Sequence, residues 1–257
     1  MAKSRLDQLL VERGLAPSRA RAQALVLAGD VFVGGERVDK AGTLVAPDAA
    51  IEVRGADHAY VSRGGVKLAG ALDAFAVDPA GLVCLDLGAS TGGFTDCLLQ
   101  RGAARVVAVD VGYGQLAHKL RVDPRVVVME RTNGRTLTAE AIGGAVDLTV
   151  VDASFIGLDK LVEAIARCTR PGGALVALVK PQFEVGRELA SRSKGVVRDP
   201  GEREAAIARA AEAVAGAGFA VLGRTDSALP GPKGNLEAFV HARRDREAGG
   251  HAPPASL

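Results

Sequence analysis

From Leu82 onward the chain alternates short, almost wholly apolar segments with segments of helical periodicity, and this alternation limits the fold more than any other feature. Runs rich in Val and Leu that are separated by helices are typical of a parallel sheet buried on both faces. Two later apolar segments, 219–224 and 236–242, are joined by a Pro/Gly loop too short for a crossover helix, which predicts an antiparallel pair. The predicted parallel strands cover 82–87, 105–110, 126–130, 147–152 and 174–180, and the clearest helices cover 92–101, 158–168 and 202–217.

The first part of the sequence has a different pattern and predicts a separate small domain. A helical apolar stripe begins at Leu6, and Ser18 is a suitable N-cap for a second helix that Gly29 would end. Short alternating segments with a Gly-Gly turn follow, which indicates small strands. We therefore expect an α+β domain over residues 1–57, a linker over 58–61, an α/β domain over 62–243 and a disordered tail over 244–257.

Charge and composition exclude several classes of protein. Apolar residues form 48% of the chain and its net charge is only +2, so a nucleic-acid surface has to be a local patch. The three cysteines show no zinc-binding spacing and fit a reducing compartment. The charged N-terminus lacks a signal-peptide core, and the longest uncharged apolar run, 174–179, is far too short to span a bilayer. We expect a soluble, cytoplasmic protein without stable membrane association.

The turn after the first strand of the large domain predicts a nucleoside-cofactor site. In LDLGASTGGF the glycines allow a tight turn and a close backbone approach to a ligand at the carboxyl edge of the sheet. Ser90 replaces the second glycine of a dinucleotide motif, and Asp86 stands just before Gly88. A carboxylate there suits a cationic aminoacyl-sulfonium ligand and would repel a pyrophosphate. The predicted turn residues of the cofactor site are Asp86, Gly88, Ser90, Gly92, Gly93 and Phe94.

Two polar residues after the next strands extend this prediction. Asp110 ends the second strand, where a carboxylate can accept hydrogen bonds from both ribose hydroxyls. Asn133 follows the third strand and can hydrogen-bond the edge of an adenine. Together with the acidic turn, these residues favour S-adenosylmethionine over NAD as the cofactor, and no group of residues in the sequence predicts a metal site.

Four charged residues lie in or beside predicted elements whose other residues are mostly apolar. Asp152 follows the fourth strand and Lys180 ends the fifth, and these strand ends flank the cofactor crevice of an open parallel sheet. Lys67 precedes the first strand of the large domain, and Glu237 lies within the last strand pair. Such a group suits the deprotonation of a weakly acidic hydroxyl, such as a ribose 2′-OH, during methyl transfer. Lys180 is the predicted proton acceptor beside Asp152, while Lys67 and Glu237 would fix the geometry of the reacting groups.

Several segments of the chain resemble those of a known family. The segments MAKSRLDQLLVERG and SRARAQALVLAGDVFVGGERV resemble an S4 RNA-binding domain. The segments YVSRGGVKL, LDLGASTGGFTDCLLQRGA, VDASFI, LVKPQFEVGRE and GPKGNLEAF resemble the TlyA family, once called hemolysin A. Its members join an S4 domain to an FtsJ-like methyltransferase domain. The resemblance covers about residues 4–242 and implies a Rossmann-like S-adenosylmethionine-dependent methyltransferase sheet behind a small α+β domain.

The same resemblance implies an activity and its residues. It implies 2′-O-methylation of cytidine in the ribosomal RNA of one or both ribosomal subunits, with capreomycin and viomycin sensitivity where both are modified. One small departure is Ala153, where the family pattern is expected to have Val or Leu. The resemblance assigns a catalytic tetrad to Lys67, Asp152, Lys180 and Glu237, and it places the cofactor around Gly88, Ser90, Gly92, Asp110 and Asn133.

Basic residues of the small domain offer an RNA surface under this resemblance. Residues 1–21 contain five basic residues and two acidic ones. From composition alone, this excess of charge indicates an ordinary solvated helical surface. The S4 resemblance favours phosphate contacts instead. Aromatic residues are few, so recognition of folded rRNA by shape and backbone is preferred over base stacking. The predicted RNA-binding residues are Arg5, Arg19, Arg21 and Arg63.

Two functions of other classes stay open at this point. A membrane-active cytolysin is what the old family name implies, but the sequence has no long apolar span and no cationic amphipathic helix. A non-catalytic RNA-binding or ribosome-assembly factor would keep the fold without the chemistry. The intact cofactor turn and the four charged residues argue against it.

Overall fold

The computed structural model of the chain describes residues 3–16, 18–53, 59–185, 195–231 and 233–245. Residue 58 of the predicted linker lies outside these ranges. Most of the predicted tail lies outside them as well, and Arg244, which was predicted to belong to the tail, is the last residue of a strand.

The N-terminal region forms a small domain of two helices and short strands. Ser18 caps the second helix by accepting a hydrogen bond from the Arg21 amide, and Gly29 ends it in the left-handed conformation. Gly34 and Gly35, both at positive φ, make the two-residue hairpin turn that the sequence predicted. The elements are β1 (Ser4–Arg5), α1 (Leu6–Glu12), α2 (Arg19–Ala28), β2 (Val31–Val33), β3 (Glu36–Arg37), β4 (Leu44–Val45) and β5 (Ile51–Val53).

This small domain has an apolar core of its own. Leu6 and Leu10 lie one helical turn apart on α1, so both point inward and both are fully buried. They pack with Val26 of α2 and with Val31 at the start of β2. Strand β2 lies between β3 and β5, and β1 pairs with β4.

The larger domain is built on a seven-stranded sheet in the order β11-β12-β10-β9-β6-β7-β8. Six strands are parallel, and β12 runs antiparallel between β10 and β11, in agreement with the predicted antiparallel pair. The chain order reverses between β6 and β9, and such a reversal opens a crevice at the carboxyl ends of the strands. The strands are β6 (Val83–Leu87), β7 (Arg105–Val109), β8 (Val126–Met129), β9 (Val146–Val151), β10 (Thr169–Val179), β11 (Phe219–Asp226) and β12 (Ala238–Arg244).

Helices cover both faces of this sheet. Successive strand residues alternate between two apolar cores, so Leu85 and Val107 enter one core while Cys84 and Val106 enter the other. Helices α6 and α8 pack on the first face, and α3 and α4 pack on the second. The helices are α3 (Arg63–Ala74), α4 (Gly93–Gln100), α5 (His118–Arg121), α6 (Val162–Cys168), α7 (Pro181–Glu184) and α8 (Pro200–Gly216), with 3₁₀ turns at Gly134–Thr136, Glu140–Ile142 and Leu158–Lys160.

The structure differs from the sequence prediction at several elements, among them β12, which begins at Ala238 and so leaves Glu237 just before the strand in which it was predicted to lie. Helix α3 was not predicted because its glycines lower helix propensity, but the burial of Leu68 and Leu72 stabilises it. Strand β10 begins at Thr169, before the predicted start, because an irregularity in its pairing with β9 carries the strand across a Pro-Gly-Gly segment. The helix predicted over 158–168 is a 3₁₀ turn followed by α6.

Candidate active site

A crevice with two lobes lies at the carboxyl edge of the parallel strands. Gly88, Ser90, Asp152 and Ser154 line both lobes and mark the place where they meet. The charged lobe has a volume of about 220 Å³, and the apolar lobe has a volume of about 340 Å³. The lining of the charged lobe includes Ser62, Arg63, Lys67, Gly93, Phe94, Lys180 and Glu237, and that of the apolar lobe includes Leu87, Val109, Asp110, Gln115, Asn133, Phe155 and Ile156.

The two lobes are separated by the turn between β6 and α4, where glycines leave the backbone without side chains. Gly88 has a φ of +91°, and a Cβ at this position would lie 2.7 Å from the carbonyl oxygen of Asp152. Gly92 has a φ of +94°, and a Cβ there would meet a leucine side chain at 2.3 Å. Both positions therefore require glycine. Gly92 shapes the turn without lining either lobe, so its predicted contact with the cofactor stays a prediction.

Two predicted cofactor residues lie in the apolar lobe, above the ends of β7 and β8. The two carboxylate oxygens of Asp110 accept hydrogen bonds from the backbone amides of Ser90 (2.8 Å) and Gly112 (2.7 Å). These bonds hold the carboxylate in one orientation at the strand end. The side-chain oxygen of Asn133 accepts a hydrogen bond from the Arg135 amide at 3.0 Å, which leaves its amide nitrogen to donate into the lobe.

Asp152 and Lys180 meet at the junction of the two lobes. They follow the adjacent parallel strands β9 and β10, and the Lys180 ammonium lies 2.5 Å from Oδ1 of Asp152. The same ammonium donates a hydrogen bond to the Ser154 hydroxyl at 2.7 Å. Only 11% of the Lys180 side chain is exposed, so its stem is buried and its amine is fixed in the crevice. The structure thus brings together the two residues that the sequence placed on neighbouring strand ends.

Lys67 and Glu237 form a second pair on the wall of the charged lobe. The Lys67 ammonium donates to Oε2 of Glu237 at 2.5 Å, and both side chains are buried. Oε1 of Glu237 is buried without a hydrogen-bond partner among the described residues. Because Lys67 lies on α3 and Glu237 just before β12, the pair joins two elements that are distant in the chain. All four residues of the predicted tetrad line one lobe.

Asp86 lies beneath the glycine turn and lines neither lobe within the described part of the chain. Strand alternation directs its fully buried side chain toward α4, where it accepts a hydrogen bond from the Thr95 hydroxyl at 2.6 Å. Burial raises the pKa of Asp86 to about 7. The predicted direct contact with a cationic ligand would require the carboxylate to leave this position, so the placement favours a structural role under the turn.

The predicted RNA-binding arginines occupy three settings. Arg5 and Arg19 both form ion pairs with Asp7, and about half of each side chain is exposed. Arg21 contributes its backbone amide to the cap of α2. Arg63 begins α3, donates to the carbonyl oxygen of Pro230 at 3.1 Å and lines the charged lobe. Arg63 is therefore the one of these four arginines that lines the crevice in the described part of the chain.

Phe155 and Ser154 are crevice residues that sequence reasoning missed. The Phe155 side chain is 92% exposed at the rim of the apolar lobe, and its backbone has a φ of +67°. Its ring lies 5.4 Å from that of Phe183 on α7. An exposed aromatic residue in a strained backbone conformation is unusual away from functional sites. The signal was present in VDASFI, where the two residues follow Asp152 at a strand end.

The described residues contain neither a metal site nor a helix that could cross a membrane. Among them, no group of three or more His, Cys, Asp or Glu side chains is placed to hold a metal ion. No described helix combines the length and the apolar character needed to cross a membrane.

Comparisons with known proteins define the class to which this fold and crevice belong. Residues 60–244 match the FtsJ-like methyltransferase family, and residues 4–51 match the S4 domain. A solved structure of a hemolysin from Streptococcus thermophilus superposes with a TM-score of 0.74 at 40% identity, covering 95% of this chain and 90% of that one. The protein is an FtsJ-like methyltransferase with an S4 domain in front of it.

Two relatives identify the branch of this class. The 16S/23S rRNA (cytidine-2′-O)-methyltransferase TlyA of Mycobacterium tuberculosis is 51% identical over 94% of this chain and 90% of its own length. Hemolysin A of Brachyspira hyodysenteriae is 40% identical over 92% of this chain and 98% of its own. The chain belongs to the TlyA family, which contains proteins carrying either kind of name.

Proposed function

We propose that this protein transfers the methyl group of S-adenosylmethionine to the 2′-hydroxyl of cytidine in 16S rRNA, 23S rRNA or both. The observation that carries the proposal is the Lys180 amine, held against Asp152 where the apolar and charged lobes meet. A family relative named for this reaction covers nearly the whole chain. Because its substrate is ribosomal RNA, we propose that the protein acts in the cytoplasm.

The apolar lobe fits the nucleoside part of S-adenosylmethionine. The oriented carboxylate of Asp110 can accept hydrogen bonds from ribose hydroxyls, and the Asn133 amide can donate to an adenine nitrogen. Gly88 lets backbone approach the ligand at the point where the lobes meet, since a Cβ there has no space. When bound, the cofactor supplies a methyl group on a sulfonium leaving group.

The charged lobe fits the ribose that receives the methyl group. After the Lys180 ammonium has released one proton to solvent, its amine can accept the proton of a 2′-hydroxyl, and Asp152 then stabilises the ammonium that forms again. Ser154 holds the same amine from another side. Lys67, fixed by buried Glu237, can orient the ribose from the opposite wall. Each step uses a side chain that the fold has already positioned.

Surfaces beside the crevice are suited to RNA. Exposed Phe155 offers an apolar ring face to a base unstacked from the RNA. Arg63 at the mouth of the charged lobe and the arginines of the S4 domain can contact phosphates. None of the described helices could cross a membrane, and the assembled tetrad argues against a non-catalytic assembly factor.

The proposal is tested by methyl transfer from labelled S-adenosylmethionine to purified ribosomal subunits and to 16S and 23S rRNA, followed by mapping of 2′-O-methyl positions. We expect Lys180→Ala to lower kcat by about 10²- to 10⁴-fold, since it removes the proton acceptor. Lys160→Ala is the matched control, because Lys160 is an exposed lysine outside both lobes. A Lys180→Ala variant with wild-type rates would refute the mechanism, and absence of rRNA methylation by the wild type would refute the function.

A further inference from the structure

Asp7, at the start of α1, is a fully buried carboxylate that joins three elements of the small domain. Its two oxygens accept hydrogen bonds from Nε and Nη2 of Arg5, both at 3.0 Å. Oδ2 also accepts from Nε of Arg19 and from the Gln23 amide, each at 2.9 Å. The carboxylate therefore fixes one arginine on β1 and another at the first position of α2.

The buried carboxylate stays ionised. The Arg5 guanidinium holds the pKa of Asp7 well below its usual range, although burial acts in the opposite direction. A buried charge with four donors is a rigid anchor, because moving any donor away would leave the carboxylate under-satisfied. The two guanidinium groups are consequently held at fixed positions before any ligand binds.

The anchor leaves part of each arginine side chain exposed to solvent. Asp7 itself is fully shielded, while 42% of the Arg5 side chain and 52% of the Arg19 side chain are exposed. Arg19 uses only Nε on the carboxylate, so Asp7 does not engage its two terminal nitrogens. Two cations share one anion, so the group has a net charge of +1 and keeps N–H donors that Asp7 does not use. Planar N–H donors in a fixed orientation match the oxygens of a phosphate.

We infer that Asp7 is a positioning residue for RNA binding, which presents Arg5 and Arg19 as a preformed clamp for the phosphate backbone. The inference rests on the proposed function, because it takes structured rRNA as the ligand. Preorganisation would increase the affinity for RNA, because a long arginine side chain that is already ordered loses less conformational freedom on binding. A purely structural ion cluster would stabilise the small domain without affecting how these two arginines bind RNA.

The two roles predict different results for a pair of charge-matched variants. Asp7→Asn and Glu12→Gln each remove one negative charge from the same helix, but Glu12 is exposed on α1 and touches neither arginine. Affinity for purified 23S and 16S rRNA is measured over a range of salt concentrations. We expect Glu12→Gln to bind up to about twofold more tightly from its extra positive charge. We expect Asp7→Asn to bind about tenfold more weakly despite the same gain of charge, with a shallower salt dependence.

Double variants distinguish a loss of arginine positioning from a loss of folding in the small domain. Adding Arg19→Ala to Asp7→Asn should cost little further affinity, because the clamp is already lost. Adding Arg21→Ala should cost as much as it does in the wild type, because the rest of the surface is intact. The KM for rRNA should rise in Asp7→Asn, while the KM for S-adenosylmethionine and kcat stay unchanged. An Asp7→Asn variant that binds rRNA as tightly as Glu12→Gln would overturn the inference.

A measurement on the wild type decides the matter if Asp7→Asn does not fold. The Nε–H protons of Arg5 and Arg19 should exchange slowly with water in the RNA-free protein, compared with that of Arg21. Equally fast exchange at all three arginines would show that no preformed clamp exists. A wild-type protein that neither binds nor methylates rRNA would instead count against the proposed function.

Discussion

At the scale of single residues, the amine of Lys180, the proposed proton acceptor, is held by Ser154 as well as by its ion pair with Asp152. Ser154 accepts a hydrogen bond from Lys180 and lines both lobes, so it fixes the amine where the two lobes meet. It is exposed and makes no contribution to the apolar cores. A change at this position should therefore affect the reaction without unfolding the protein.

We expect Ser154→Ala to lower kcat for rRNA methylation about tenfold, because a hydrogen bond to a charged group contributes roughly 1.5–3 kcal/mol. The free energy of unfolding should stay within about 0.5 kcal/mol of wild type, as for most exposed positions. Ser154→Thr keeps the hydroxyl and should recover most of the rate. A wild-type kcat for Ser154→Ala in steady-state assays would show that Ser154 has no role in positioning.

Asp86 is a residue whose protonation should influence stability. Its pKa rises from 3.8 to about 7 in the folded protein, so the folded state binds a proton more tightly than the unfolded state. Stability should then fall as the pH rises from 3.8 to about 7, by at most about 1.4 kcal/mol per pH unit for one group. We expect Asp86→Asn to match wild type below about pH 4 and to exceed it increasingly up to pH 8, because Asn resembles the protonated carboxyl. Urea unfolding at several pH values measures this, and parallel curves for the two proteins would contradict it.

At the scale of elements, the crevice depends on contacts between segments far apart in the chain. Lys67 on α3 pairs with Glu237 before β12, and the two are 170 positions apart. The loop after β9 is held to α7 in a similar way, since Glu184 accepts a hydrogen bond from the Leu158 amide at 2.8 Å. Burial raises the pKa of Glu184, which reflects how closely the loop and α7 pack.

Breaking the Lys67–Glu237 pair on one side should destabilise the fold. We expect Glu237→Ala to lower the free energy of unfolding by about 3 kcal/mol, because it leaves a buried, unpaired ammonium. The double variant Lys67→Met with Glu237→Leu should regain most of that stability, since both charges are gone. It should still lack methyl transfer, because the proposed ribose contacts are lost. Denaturant unfolding together with activity assays tests this, and an active double variant would exclude a catalytic role for the pair.

At the scale of the whole molecule, the small domain lies next to the crevice. Leu27 of α2 lines the charged lobe together with Arg63 and the tetrad. Arg37 of β3 lies close enough to Arg63 for the two charges to interact, and burial together with this repulsion lowers the pKa of Arg37. Residues of the small domain and of the methyltransferase domain thus lie side by side at the charged lobe.

Local patterns in the sequence predicted most of the elements and placed two candidate site residues at strand ends. The alternation of apolar strands and helices predicted the parallel sheet, and Ser18 and Gly29 predicted the two ends of α2. The ends of two neighbouring strands predicted that Asp152 and Lys180 lie close together. These features follow from rules that act over a few residues. Helix α3 was missed because its glycines disfavour a helix locally, and only packing against α4 compensates for them.

The order of residues is enough to specify the type of fold, the glycine turn and the four charged residues. Which of these side chains meet depends on how the whole chain folds. Asp86 was predicted to face the ligand, but the pleat of β6 turns it under α4. Ser154 and Glu237 gain their partners from segments 26 and 170 positions away. Such contacts depend on strand order and on the burial of whole faces, which no local pattern of residues encodes.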